Sequence, residues 1–274
     1  MMAVSGGLIA PASAAPAGPD REPSSAESVG MRAPALPEMS SRDTSVDPAG
    51  YWTLEMMASA VPIEELVDTV ATRRPVRDPR PADIGKPGTA SEPVLPTQNQ
   101  DGLQAMAAAP VPSTVGKLFF RLPDGRPSSC SAATVNSGAK DLIETAGHCV
   151  YTPGAGWHSE LLFAPGHYNG PSAAGFWNWG YARTFNLWIN NRALSHDQAF
   201  VELLPKNGVR VVDAVGGNGF SWNYSASQPD VRIWGYPGNL QDGEVPYYCD
   251  GATSPITISG YSMAAMSCAM GGGD

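Results

Sequence analysis

The sequence predicts an all-β domain over its C-terminal part, and three observations carry that reading. From about Ser113 the chain breaks into short β-rich runs separated by Gly, Pro and Asn. Gly (30) and Pro (26) together make about a fifth of the 274 residues, which favours turns and short strands over long helices. No repeat of roughly 20–50 residues is visible, and this spacing of strands suits a sandwich or barrel.

Taken in order, the expected strands begin with 116–121, Gly-Lys-Leu-Phe-Phe-Arg, followed by 130–136 and 141–145. Strand 160–164 comes next, and then 181–189 and 198–204, the latter alternating Ala199, Val201 and Leu203. The Val-rich run 209–215, then 231–236, 245–249 and 256–260 complete the set.

The preceding chain differs in character. Sixteen of the 26 prolines fall before residue 113, in a segment without Cys or His that is rich in Ala, Ser, Asp and Arg. Most of it is expected to be disordered or extended, because it cannot bury enough apolar surface to fold alone. One stretch stands out, from about Asp47 to Asp68, where Tyr51, Trp52, Leu54, Met56, Met57, Ile63, Leu66 and Val67 have the pattern of short amphipathic helical pieces. Pro48 and Pro62 suit helix first turns, and Pro62 would divide the two pieces. Two readings stay open for it: a docked propeptide helix, or a solvated linker with incidental apolar residues. Arg73-Arg74 and a Pro- and Gly-bearing linker follow to about residue 110.

At the N-terminus, residues 3–10 are small and apolar, and Ala12-Ser13-Ala14 has the small-x-small form of a signal-peptidase site. Residues 1–14 are read as a possible signal-peptide remnant, the other reading being an Ala-rich tail. No run reaches the roughly 18–20 apolar residues of a membrane span, so a soluble, non-membrane protein is expected. The formal net charge of −9 argues against nucleic acid as a partner, since a phosphate-tracking surface needs clustered Lys and Arg.

Cys130, Cys149, Cys249 and Cys268 are the four cysteines, with no C-x-x-C spacing that would suit a thiolate zinc site. Two disulfides in an oxidising compartment are expected, and the three possible pairings stay open on sequence alone. His148, His158, His167 and His196 show no ligand spacing, so no metal is expected. Phe176, Trp177, Trp179, Phe185 and Trp188 are expected to be a loop packing on the barrel; a carbohydrate or peptide groove is the other reading.

The chemistry-bearing residues gather at two places. Ser129-Cys130-Ser131-Ala132-Ala133 is followed by Thr145-Ala146-Gly147-His148-Cys149, and Asp197 opens the run Asp-Gln-Ala-Phe-Val-Glu-Leu, 49 residues after His148. The chain then ends in Cys268-Ala269-Met270-Gly271-Gly272-Gly273-Asp274. These segments resemble the chymotrypsin-fold, trypsin-like serine peptidases over about residues 113–274. Trp234-Gly235-Tyr236-Pro237-Gly238 is similar to a turn of bacterial glutamyl-endopeptidase-like members. The stretch from Tyr51 to Pro62 resembles propeptides of secreted bacterial peptidases of this kind.

The resemblance implies two six-stranded antiparallel β-barrels with the site between them, the second incomplete here. It implies His148 as general base and Asp197 as its orienting carboxylate, with disulfides Cys130–Cys149 and Cys249–Cys268. Gly273 would supply an oxyanion-hole N–H, and Asp274 the carboxylate that pairs with a freed N-terminal amine. The nucleophilic serine would stand at position 275, so the 274-residue chain is expected to be inactive. Ala269 stands roughly where an Asp would select Arg or Lys, and cleavage after basic residues is not expected.

The organisation expected is a signal remnant (1–14), a propeptide and linker (15–112) and a peptidase domain (113–274). The whole would be a secreted, monomeric zymogen with polypeptide substrates, its own propeptide as partner and no cofactor. The other class kept open is a non-enzymatic secreted binding protein on a peptidase-like fold. Gly260-Tyr261-Ser262-Met263-Ala264 half resembles a nucleophile elbow, but the order of His and Asp before Ser262 does not suit an α/β-hydrolase.

Overall fold

The structure is a computed structural model that describes residues 27–34, 50–66, 86–97, 111–258 and 261–270. Residues 1–14, Arg73-Arg74 with the rest of 67–85, and Gly273 and Asp274 lie outside the described residues.

Three short pieces precede the main domain: β1 (Ser28–Arg32), the helix α1 (Leu54–Ala58) with β2 (Val61–Pro62), and β3 (Gly88–Ser91). The domain itself begins with β4 (Val115–Arg121), β5 (Pro127–Val135) and β6 (Leu142–Thr145). A small hairpin, β7 (Tyr151–Thr152) with β8 (Gly156–Trp157), leads to β9 (Ser159–Pro165) and β10 (Trp177–Phe185). After α2 (Asn186–Asn191) come β11 (Ala199–Leu203), α3 (Val211–Val215) and β12 (Phe220–Trp222). The last described elements are β13 (Val231–Gly235), β14 (Tyr247–Gly251), β15 (Ser254–Ile258) and β16 (Tyr261–Ala265).

Strands β4, β5, β6, β11, β10 and β9 pair in that order, and β9 pairs with β4 to close the ring. The result is a closed six-stranded antiparallel barrel, which leaves no edge within the ring. Its interior is filled by alternate residues: Leu118 and Phe120 of β4, Leu161 and Phe163 of β9, Trp177 and Trp179 of β10, and Ala199, Val201 and Leu203 of β11. Between those β11 positions Phe200 is half-buried and Glu202 exposed, as period-2 patterning requires.

β4 is buried on both faces, and the leader explains why. Phe119, Leu162 and Ala164 point away from the barrel interior and are covered by Trp52, Met57 and Ala60. Thr53 caps α1 by accepting the Met56 N–H, and Pro62 separates α1 from a 3-10 turn at Ile63–Glu65. The Trp52 indole N–H donates to the Glu160 carbonyl at 2.7 Å. Ile63 is fully buried and joins the main core, while the Ser128 hydroxyl donates to the Val61 carbonyl at 2.8 Å. β1 adds to β10 in antiparallel register, Ser28 facing Phe185 and Arg32 facing Tyr181, and β3 pairs with β12. The described residues around Trp52 therefore pack on the barrel instead of running over it as a solvated linker.

Two expected strands are corrected. Residues 186–189 are not strand: β10 begins earlier, at Trp177, and the chain turns into α2, which ends at Arg192 with φ 53°. Residues 211–215 form α3 despite their β-branched composition, because Val211, Val212, Ala214 and Val215 all bury against the barrel in one short turn. The aromatic cluster is corrected too. Phe176, Trp177, Trp179 and Trp188 are all buried; Trp177 and Trp179 sit on a barrel strand, so they form neither a packed loop nor a groove.

Beyond Val231 the second half is represented by two hairpins, β13–β14 and β15–β16, rather than a closed barrel. It is seated on the first barrel through Tyr236, whose N–H donates to Ser131 Oγ and whose hydroxyl donates to the His167 carbonyl, both at 2.8 Å. Lys117, almost fully buried, reaches Glu244 at 2.5 Å, and His167 holds the other oxygen of Glu244 at 3.0 Å. Burial weakens the charged form of Glu244, yet the hydrogen bonds from His167 and Lys117 outweigh it and hold the carboxyl at about 2. Both cysteine pairs are disulfides, Cys130–Cys149 and Cys249–Cys268.

Ile63 tests whether the leader is part of the core. Ile63→Ala removes a fully buried side chain and is expected to lower unfolding free energy by about 2–5 kcal/mol, read from urea denaturation. A surface-docked leader would give a change near zero.

Candidate active site

The ladder between β11 and β6 brings the two sequence motifs together. Ala199 faces Thr145 and Val201 faces Ile143, so the residues just before β11 lie alongside those just after β6. Thr145 is anchored by its hydroxyl donating to the Ser131 carbonyl at 2.7 Å. The chain then makes a 3-10 turn over Gly147–Cys149, with the Cys149 N–H donating to the Ala146 carbonyl. The disulfide from Cys149 to Cys130 on β5 fixes the turn's far side.

Asp197 closes a second 3-10 turn, Leu194–His196, and its carboxylate meets the first turn twice. Oδ1 accepts the His148 backbone N–H at 2.7 Å, and Oδ2 lies 2.8 Å from Nδ1 of the imidazole. A carboxylate accepts only, so the neutral ring carries its proton on Nδ1 and presents Nε2 as the basic nitrogen. Both side chains are largely buried, at 8% and 13% exposure, which strengthens the interaction over a surface pair. Trp188 packs its ring edge near His148 at 6.2 Å and donates its indole N–H to the Tyr151 carbonyl.

Gly147 is required by this closeness. A Cβ there would stand 2.8 Å from the Trp188 ring and 2.9 Å from both Asp197 Oδ1 and Thr184 Oγ1. Thr184, buried on β10, in turn donates to the Gln198 carbonyl at 2.8 Å and steadies the residue after Asp197. Thr184 and Trp188 carried no sequence signal for this role, apart from the place of Trp188 in the aromatic cluster.

A cleft of about 520 Å3 opens beside Asp197, walled by Glu144, Thr145 and Ala146 on the barrel and by Trp234 and Met263 on the second half. Burial pushes the Glu144 carboxyl up, opposed by a hydrogen bond from the Gln198 amide.

Two other aspartates stand beside apolar runs, but Asp213 pairs with Lys140 at 2.7 Å and Asp230 is exposed to solvent, while Asp197 holds the imidazole. His167 belongs to the Glu244 cluster, and His196 lies beside Ser195 Oγ and the Phe185 ring. Cys130, His148 and Cys149 lie within metal-binding reach of one another, but the sulfurs form a disulfide and offer no thiolate. Ser262 falls in β16, and the Ala269 carbonyl accepts from Asn239. Gly273 and Asp274 lie outside the described residues.

No protein-family model and no curated protein sequence matches the chain. Solved structures do. A thermostable serine protease from an extremophilic microorganism is 30% identical, with a TM-score of 0.54 over 59% of this chain and 74% of that one. The protease Anisep from Arthrobacter nicotinovorans is 25% identical with a TM-score of 0.48, over 59% of this chain and 81% of that one. A Glu endopeptidase is 16% identical with a TM-score of 0.46, over 67% and 79%. The first of these shares both sequence and fold across three quarters of its length, and on that ground the chain belongs to the chymotrypsin-fold, trypsin-like serine peptidases.

Proposed function

We propose that this chain is the precursor of a secreted serine endopeptidase that hydrolyses polypeptides through an acyl-enzyme. The observation that carries the reading is the double hold of Asp197 on His148, through the backbone N–H and through Nδ1. An imidazole so held has one tautomer and one orientation, and its imidazolium is stabilised when it forms; these are the requirements of a general base.

In this reading His148 Nε2 takes the proton of a serine hydroxyl as that oxygen attacks the scissile carbonyl, and returns it to the leaving amine. The nucleophile is the serine that follows Gly-Asp in the family, at position 275, after Gly273-Asp274. Gly273 lends a backbone N–H to the oxyanion, and Asp274 pairs with the N-terminal amine freed on activation. No cofactor is needed, because each proton transfer stays among these side chains. Two disulfides support an oxidising, extracellular destination, and the docking of Trp52, Met57 and Ile63 supports residues 15–112 as a propeptide partner of a monomeric enzyme.

Labelling by a fluorophosphonate probe tests the assignment. A chain extended through the family's serine and activated is expected to label, and its His148→Ala variant to lose labelling. Labelling that survives His148→Ala, or none of the extended form, would overturn the proposal; the second result would leave a binding protein on a peptidase-like fold.

Asp197→Asn in the extended enzyme keeps the shape but favours the wrong ring tautomer. It is expected to lower kcat by about 10⁴-fold with little change in KM, measured on a peptide substrate.

A further inference from the structure

A second histidine sits directly behind the turn that carries His148. His158 is completely buried between β8 and β9, and its ring stacks on Phe120 at 4.7 Å with only 12° between the planes. Nδ1 lies 3.0 Å from the Cys149 carbonyl oxygen, and Nε2 lies 2.8 Å from the Thr152 hydroxyl. Its backbone N–H donates to the Val150 carbonyl at 2.9 Å. A carbonyl only accepts, so Nδ1 carries the proton, and Nε2 takes a hydrogen bond from Thr152.

We propose that His158 is a positioning residue for His148: a neutral, single-tautomer imidazole that grips the Cys149 carbonyl and fixes the turn presenting the general base. This deepens the peptidase reading and rests on it. The turn is thereby held at three points. Asp197 holds the His148 N–H, Cys130 holds the Cys149 sulfur, and His158 holds the Cys149 carbonyl.

Neutrality matters as much as geometry. The mechanism requires His148 to become an imidazolium, and a second positive ring close by would oppose that charge. Burial pushes the His158 imidazole down to about 4, helped by the nearby His148 and opposed by the hydrogen bond to Cys149 and by the carboxylate of Asp124. His158 therefore supplies a donor that is uncharged near neutral pH.

The test needs only the 274-residue chain, whose four histidines are few enough to follow individually by NMR with labelled imidazoles. In His158→Phe, which keeps the stack and removes the donor, the His148 backbone amide is expected to exchange about tenfold faster, the value of one ordinary hydrogen bond. The His148 Nδ1–H signal should broaden as well. His158→Asn, whose amide reaches the same carbonyl, is expected to restore both. Unchanged His148 signals in His158→Phe, or no rescue by Asn, would overturn the proposal.

Should His158→Phe fail to fold by circular dichroism, the imidazole nitrogen shifts of the unsubstituted chain decide the matter. The proposal requires a neutral ring at His158 with its proton on Nδ1, and a protonated ring or a proton on Nε2 would overturn the assignment. Because these readouts need no serine, they separate from the labelling experiment. If the extended chain does not label while His158→Phe releases His148, the catalytic reading falls and the positioning role stands.

Discussion

One carboxylate holding two N–H groups of the same histidine is the constraint around which the first barrel is organised. Asp197 can reach His148 only because β11 pairs with β6 in a single register, Ala199 against Thr145. A slip of one residue would turn every side chain of β11 to the opposite face and carry the carboxylate away from the turn. Register is pinned in its turn by Ala199, Val201 and Leu203, which have nowhere to go but the barrel interior. Burial of three small or branched side chains thus sets a hydrogen-bond length several ångströms away.

The same economy governs the turn itself. Gly147 leaves room for Trp188, Thr184 and Asp197 to converge, and the Cys130 disulfide ties the turn to the strand behind it. A six-stranded barrel with so short a path between strand and turn leaves little slack, and interiors packed at this density transmit displacements rather than absorb them. The contacts between the barrel and the second half work differently. Lys117 and His167 share the two carboxylate oxygens of Glu244, a largely buried polar cluster that is intolerant of losing a member, and it fixes where the second half sits.

Much of this was legible in the sequence. The Thr-Ala-Gly-His-Cys segment and the alternating run after Asp197 announce themselves because a period of two and a fixed spacing survive without any tertiary knowledge. The pairing of cysteines followed from the family likeness and not from counting. What was illegible has tertiary causes. The run Val211–Val215 has the composition of a strand and is a helix, because all but one of its residues must bury in a single turn at the barrel's end. The segment Ser28–Arg32 has no strand pattern, and it is extended only because β10 offers it partners. His158 stands alone in Gly-Trp-His-Ser, and nothing in those letters foretells the stack on Phe120. The double-faced burial of β4 depends on Trp52 and Met57, residues more than fifty positions upstream in a proline-rich stretch.

The pairing of β1 with β10 has a temporal side. Arg183 reaches Ser28 across 155 residues of sequence, and the first of the two strands leaves the ribosome long before the second exists. At ordinary elongation speeds of about 5–20 residues per second, that interval is roughly 8–31 s. During it β1 has no β10 to join. The leader is made before the barrel and seated only when the barrel is complete, which leaves it exposed for an interval of seconds.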